Sequence, residues 1–479
     1  MSNTLLSPTR APTAAALTTG APTETEALTA FTLSLDLSTV PTPVIDLAKE
    51  HFLDVLGIAL ASSTWDFGDA VLRGVRELGE GTQATAIGSG AKLPPASAAL
   101  VNGVLAHGLD FDDTHIGAIY HASAHAMAAC LASGEANGVT GRELLTAFIA
   151  ALEVGCRIAM VGAGEFHDRG FHPTPLCGAF ACTAGAGRLA GASQQALVWA
   201  LGLCGSQAAG ILEQNGSWLK RFGPGWAAHS ALSAVAFGKA GFMGPATVLE
   251  GTRGFYASHL QSVPQGDARP SLDLGTTWYT LGIALKPYPC CHYIHAFADA
   301  ALELRGQFAL EDIERIECLL KLSLHRGVAE PRDLRIRPRT PYEALFSVPF
   351  VVALALARGR VDLAAFHDEP LDAADLMALT AKTFVLDDPN SDYPLHFPGE
   401  VIVHLRDGRV VRCRKAASYG SPDLPMARDA VIAKFMANAT RAIDPAAAGQ
   451  LAQCVLDLEQ LASLDQLTTL CTATKPSAR

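Results

Sequence analysis

A chain of 479 residues with 49% hydrophobic and only 17% charged side chains has the apolar content for a large buried core and room for two domains or more. Its formal charge of −11 is spread thinly, without the Lys and Arg clusters that a nucleic-acid surface needs. The longest uncharged runs, over 196–212 and 347–357, are interrupted by Ser and Gln or too short for a bilayer, so no membrane span is expected.

Residues 1–27 are rich in Thr, Ala, Pro and Ser and lack a continuous apolar stretch, which predicts a disordered leader and no secretory signal. One arginine, Arg10, with Glu24 and Glu26 argues against a transit sequence. From Pro41 on, Val44, Ile45, Ala48, Phe52, Leu53, Leu56, Ala59 and Leu60 recur at helical spacing, with Thr42 as the expected N-cap. Residues 95–106 repeat the pattern, and Ala96, Ala99, Gly103 and Ala106 are small enough for close helix packing. Ala-rich segments over 142–161, 178–190, 194–210 and 226–239 predict further helices, several apolar all round and therefore buried. A linker containing Gly, Pro and Asp follows over 261–273.

Beyond it the pattern changes. Residues 313–324 alternate (Ile316, Cys318, Leu320, Leu322) as a half-buried strand does, and a helix is expected over 342–358. Val401, Val403 and Leu405, then Asp407-Gly408, then Val410, Val411 and Cys413 predict a hairpin within 400–418. Helices return over 426–439 and 445–464. The expected fold is mainly α: a large all-helical domain built from residues 28–268 and 426–479, with a smaller α+β domain inserted over 269–425. There is no internal repeat, and Gly185 and Gly187 lie in a helical stretch without the preceding strand that a nucleotide fingerprint requires. Eleven cysteines without C-x-x-C spacing fit free thiols in a reducing cytoplasm.

Ionisable groups concentrate over 107–125, where Asp110, Asp112 and Asp113 accompany His107, His115, His121 and His125 between apolar runs. Such groups are costly beside a core unless they are paired or put to use, and one of the acids is expected to cap a helix. Lys220 and Arg221 stand in an otherwise apolar region, although Gly216, Gly223 and Pro224 around them also fit a solvated loop. Cys290, Cys291, His292 and His295 raise the question of a metal, but adjacent cysteines do not give zinc geometry and no second Cys/His pair has ligand spacing. No metal and no cofactor are expected.

The runs H-G-L-D-F-D-D-T-H at 107–115, F-H-P-T at 171–174, W-L-K-R-F-G-P-G-W-A-A-H at 218–229, K-P-Y-P-C-C-H-Y-I-H at 286–295 and P-Y-E-A-L-F-S-V-P-F at 341–350, in this order, resemble the MmgE/PrpD family. That family includes 2-methylcitrate dehydratase, cis-aconitate decarboxylase and iminodisuccinate epimerase. The resemblance implies a homodimer with a metal-free site between a helical and an α+β domain, acting on a small polycarboxylate. It implies Asp110, His121, His172, Lys220 and Lys286 as catalytic residues, with Arg221, His115, Cys291 and His292 touching substrate.

Two departures stand out: His121 is followed by Ala122 where the family usually has proline, and Cys291 stands where the mammalian decarboxylase has histidine. The expected activity is cofactor-independent dehydration of a 2-methylcitrate-like hydroxy acid. Decarboxylation of cis-aconitate, epimerisation of a dicarboxylate and carboxylate binding without catalysis are its alternatives.

Overall fold

The computed structural model describes residues 20–214, 217–263, 266 and 268–472. Residues 1–19 of the expected leader lie outside the described residues, and its expected end at residue 27 is corrected, because Glu24–Ser34 is already helix. Thr23 and Glu26 form a reciprocal capping box, with Glu26 N donating to Thr23 Oγ1 at 3.1 Å and Thr23 N to Glu26 Oε2 at 2.9 Å. Pro41, and not Thr42, occupies the N-cap position of Thr42–Ser62, with no side-chain capping bond.

The helical part is built from Thr42–Ser62, Pro95–Ala106, Ser123–Asn137, Gly141–Gly162, Pro173–Leu189, Gln194–Cys204 and Leu219–Lys239. Their alanines and glycines let backbones approach closely. Where Pro95–Ala106 crosses Leu219–Lys239, a Cβ on Gly225 would lie 2.4 Å from the Leu100 carbonyl oxygen, and one on Gly103 2.7 Å from the Gly225 Cα. Gly141–Gly162 is long and apolar enough to cross a membrane, yet it lies in the protein core. Midway along it Arg157 Nε donates to Glu153 Oε1 at 2.6 Å. The Arg157 guanidinium also donates to the Leu272 carbonyl and, at 2.6 Å, to that of Thr277. A buried cation thus clamps the end of the expected linker to the helical core.

Several helix boundaries differ from expectation; the helix expected over 445–464, for one, ends at Leu456. Pro173–Leu189 starts five residues early because Pro173 and Pro175 occupy its first turn, where a missing N–H costs nothing. Leu219–Lys239 starts seven residues early and takes Pro224 inside it, so Lys220 and Arg221 stand on a helix and not on a solvated loop. Gln194–Cys204 ends six residues early, and the chain beyond it turns so that Gly210 O accepts from His172 N at 3.2 Å.

The α+β part holds a four-stranded sheet in the order Thr383–Asp387, Ile313–Leu320, Gly399–Leu405, Val410–Lys415. The first pair is parallel and the other two are antiparallel. Gly408 takes φ +85° at the hairpin turn, a conformation glycine adopts at no steric cost. The expected helix over 342–358 is split into Pro341–Leu345 and Val348–Arg358, because Ser347 Oγ accepts from Phe350 N at 3.0 Å and starts a new helix. Phe350, Val352, Cys318, Val401 and Val403 belong to a second core. Arg428–Ala439 returns to the first core: Phe435 packs on Gly57, and Lys434 Nζ lies 2.7 Å from Asp54 Oδ1.

Candidate active site

Between the end of Pro95–Ala106 and the start of Ser123–Asn137 the three acids take three different environments. Asp110 adopts φ +54°, a left-handed conformation that Asp tolerates better than most residues. Its Oδ1 accepts from Lys220 Nζ at 2.5 Å, and Lys286 Nζ lies 3.6 Å from Oδ1 and donates to the Asp110 carbonyl at 3.0 Å. Burial would raise the Asp110 pKa, but Lys220, Lys286 and His107 outweigh it and hold the carboxyl well below its usual range. The Lys220 ammonium shows the reverse balance: burial pulls it down and Asp110 raises it further.

Asp112 Oδ2 accepts from His107 Nδ1 at 2.7 Å and lies 3.6 Å from His121 Nδ1. Asp113 is the helix-capping acid. Its Oδ1 accepts from Ala122 N and Ser123 N, both at 3.1 Å, while its Oδ2 accepts from Ser123 Oγ and faces His51 Nδ1 at 2.5 Å. The departure at Ala122 therefore has a local meaning, since a proline there has no N–H to give Asp113.

Three imidazoles meet beside Asp110. Ring centroids of His107 and His121 are 4.7 Å apart, those of His107 and His172 5.9 Å, and those of His121 and His172 6.2 Å. His121 Nδ1 faces the Asp113 carbonyl oxygen at 2.7 Å; a carbonyl only accepts, so Nδ1 carries the proton and Nε2 is the free base. His172 stands at the cap of Pro173–Leu189, and its Nδ1 is buried without a hydrogen bond, as is His107 Nε2. Burial is the main cause that drives His121 and His172 well below the usual imidazole range, followed for His121 by Lys286 and for His172 by His107. Both are neutral bases near pH 7.

Nitrogens of these three histidines lie within 4.8 Å of one another, which makes them one of two metal candidates among the described residues, the other being His107 with Asp110 and Asp112. The set that first raised the metal question behaves differently: His295 Nε2 is spent on the Cys290 carbonyl at 3.1 Å.

Asp110, His121, His172, Lys220 and Lys286 are thus brought together from four segments. Burial, then Lys286, presses His292 down to about 3, and its Nε2 lies 3.4 Å from Ser418 Oγ. Cys291 donates its N–H to Leu345 O at 2.9 Å, and burial followed by Asp110 raises its thiol. The Arg221 guanidinium lies 4.5 Å from the Phe67 ring centroid and 5.7 Å from that of Tyr342.

His115 is not delivered to the cluster. Its backbone pairs with Ile283 and its ring fills the space over Gly282, where a Cβ would lie 2.7 Å from Nε2. Sequence reasoning gave no role to His107, whose signal was Asp112 five residues on. It also passed over Tyr342 and Phe346, which lie within a recognised motif; Lys220 Nζ stands 5.4 Å above the Phe346 ring.

The MmgE/PrpD N-terminal domain matches residues 26–265 and the MmgE/PrpD C-terminal domain residues 288–460. A cis-aconitate decarboxylase-like protein of Aspergillus oryzae is 26% identical, over 90% of this chain and 94% of its own length. The cis-aconitate decarboxylase of Mus musculus is 27% identical over 93% of each chain, and that of Homo sapiens 27% identical over 90% of this chain and 91% of its own.

Proposed function

The chain belongs to the MmgE/PrpD family, and on that premise we propose that it is a lyase acting on a small polycarboxylate, without metal or organic cofactor. The observation that carries this reading is the Asp110 carboxylate held by Lys220 and Lys286 beside His121 and His172. Each ammonium has three donors, so both lysines keep N–H groups for substrate carboxylates after serving Asp110. Fixed cations in a buried site also stabilise negative charge that develops on carbon or carboxylate.

Decarboxylation of a cis-aconitate-like acid comes first, because that activity is in the names of fungal and mammalian relatives alike. The bond to the departing carboxylate breaks, and its electron pair spreads over the neighbouring double bond toward a remaining carboxylate held by lysine. A histidine proton then reaches carbon. The bound polyanion supplies the condition for this, since negative charge beside His121 and His172 raises their affinity for a proton. Dehydration of a 2-methylcitrate-like hydroxy acid is the second reading. It is favoured by the neutral His121 and His172 of the free site, the species that removes a carbon-bound proton.

The proposal extends to a homodimer in a reducing cytoplasm. Trp218, Phe222, Trp226, Phe237, Phe242 and Met243 leave an exposed apolar face along and beyond Leu219–Lys239, of the kind that marks a protein interface. The cysteines are free.

The test is to incubate the chelator-treated protein with cis-aconitate, trans-aconitate, citrate, 2-methylcitrate and iminodisuccinate in D2O and follow proton NMR. Loss of one carboxyl carbon with deuterium in the product supports the first reading. A new alkene without carbon loss supports the second. Deuterium exchange alone, binding without turnover, or activity restored only by added zinc or iron overturns the proposal.

A further inference from the structure

Next to the site lies a cavity of about 1160 Å³, walled by Ser217, Trp218 and Arg221 of the helical part and by residues between Arg326 and Phe346 of the α+β part. Pockets for drug-sized ligands measure roughly 300–1,000 Å³, so this cavity is larger than a small polycarboxylate needs. Phe346 belongs to both spaces, lining the cavity and lying under the Lys220 ammonium.

The walls carry cations that no acid occupies. Arg221 is half-buried and stacked between Phe67 and Tyr342, with no ion pair among the described residues. Arg335 is held from behind, Nε donating to Glu330 O at 3.1 Å and Nη2 to Gly327 O at 2.8 Å, which leaves Nη1 free. Arg326 lines the same wall and is exposed. Arg332, the fourth wall arginine, faces away to Ala381 O and the Phe384 ring. Of the two wall acids, Glu343 is spent on Arg339 at 2.8 Å, and Glu330 remains. Three spare guanidinium groups against one carboxylate, with Trp218, Tyr342 and Phe346 between them, suit an anion on an apolar arm.

We propose that this chamber is an outer anion subsite, in which Arg221 and Arg335 seat a distal carboxylate of the substrate while Lys220 and Lys286 hold its reacting end. The inference rests on the lysine reading of the inner site and deepens it: the preferred substrate is an extended polycarboxylate whose third acid stands several carbons from the reacting one.

Calorimetric titration of the full chain tests this with two inert probes, tricarballylate and a hexane tricarboxylate whose third acid is three carbons further out. The longer probe binds about tenfold tighter to the unaltered protein, and Arg221→Gln or Arg335→Gln removes about that factor for it and roughly twofold or less for tricarballylate. Lys286→Met weakens both probes. Unchanged affinity for the longer probe in both arginine variants overturns the outer subsite, whatever Lys286→Met does. Unchanged affinity in Lys286→Met with loss in the arginine variants overturns the lysine reading and leaves the chamber as an anion site on its own. Arg335→Gln carries the readout alone should Arg221→Gln fail to fold.

Discussion

His121 and His172 face the same small space as Lys220 and Lys286, and that proximity fixes the proton inventory of the free site. Protonating either imidazole would add a buried positive charge beside two ammonium groups, of which Asp110 neutralises only one. Both rings therefore stay neutral at pH values where an ordinary histidine, near about 6.5, is half protonated. If a neutral imidazole serves as base in the free enzyme, kcat/KM holds level on acidification through about pH 6 and falls only well below it. A pH profile measured at substrate concentrations far under KM checks this, and an acid limb at or above about pH 6.5 would sink it. Ala122 offers a second test. Its N–H is one of two backbone donors to Asp113 Oδ1, and a buried carboxylate that loses a donor keeps its desolvation cost. Ala122→Pro is expected to destabilise the fold by about 1–3 kcal/mol, read as a lowered denaturation midpoint. An unchanged midpoint would mean that Ser123 alone satisfies that oxygen.

Helix crossings set where these residues stand. Lys220 enters the site from the first turn of Leu219–Lys239, and five residues on Gly225 meets Leu100 and Val104 of Pro95–Ala106, the helix that leads to Asp110. The Asp110–Lys220 pair is therefore spaced by a contact that only glycine permits. Gly225→Ala forces a methyl group to 2.4 Å from the Leu100 carbonyl oxygen, an overpacking worth about 1–3 kcal/mol. It should lower both the melting temperature and kcat/KM. Gly449→Ala, on Pro445–Leu456 with nothing within 4 Å of the new Cβ, should stabilise by about 0.4–1 kcal/mol. Calorimetric scans of the pair decide it; an equal response in both would remove the special role of the crossing. The helices themselves were legible because their apolar residues recur at helical spacing, and the hairpin because Asp407-Gly408 sits between alternating strands. Their boundaries were less so, because Leu219–Lys239 starts against Pro95–Ala106 and the chain after Cys204 turns to meet His172, contacts remote in sequence. The strand Thr383–Asp387 follows Ala374–Lys382 without a break, and its partner Ile313–Leu320 lies more than sixty residues upstream. Within the site, the crowding of ionisable groups was visible; the separate tasks of Asp110, Asp112 and Asp113 depend on a left-handed φ and on His51, Lys220 and Lys286.

Across the whole molecule, the same burial that keeps the site neutral makes the fold sensitive to acid. His115 is pressed down to about 4, and His125 and His292 to about 3, in each case chiefly by burial. In the unfolded chain all three titrate near about 6.5. Above that pH neither state carries the extra proton, and they contribute no pH dependence. Below it the unfolded chain takes up protons that the folded one refuses, so stability falls as pH drops toward the folded values. One unit below, near about pH 5.5, each refused proton costs about 1.4 kcal/mol, together roughly 4 kcal/mol. Asp54 works the other way, because burial raises its carboxyl to about 6 against the pull of Lys434. The folded state binds that proton first and regains less than about 1 kcal/mol at the same pH. Asp110, held low, enters only at pH values below the ordinary carboxylate range. The balance predicts a melting temperature that declines steadily from about pH 7 to about pH 5.5, with net proton uptake on unfolding in that window. Scanning calorimetry in buffers of different ionisation enthalpy measures both quantities. A melting temperature that stays level or rises over the interval would show that these histidines are protonated in the fold, and with them would go the neutral-base reading of the site.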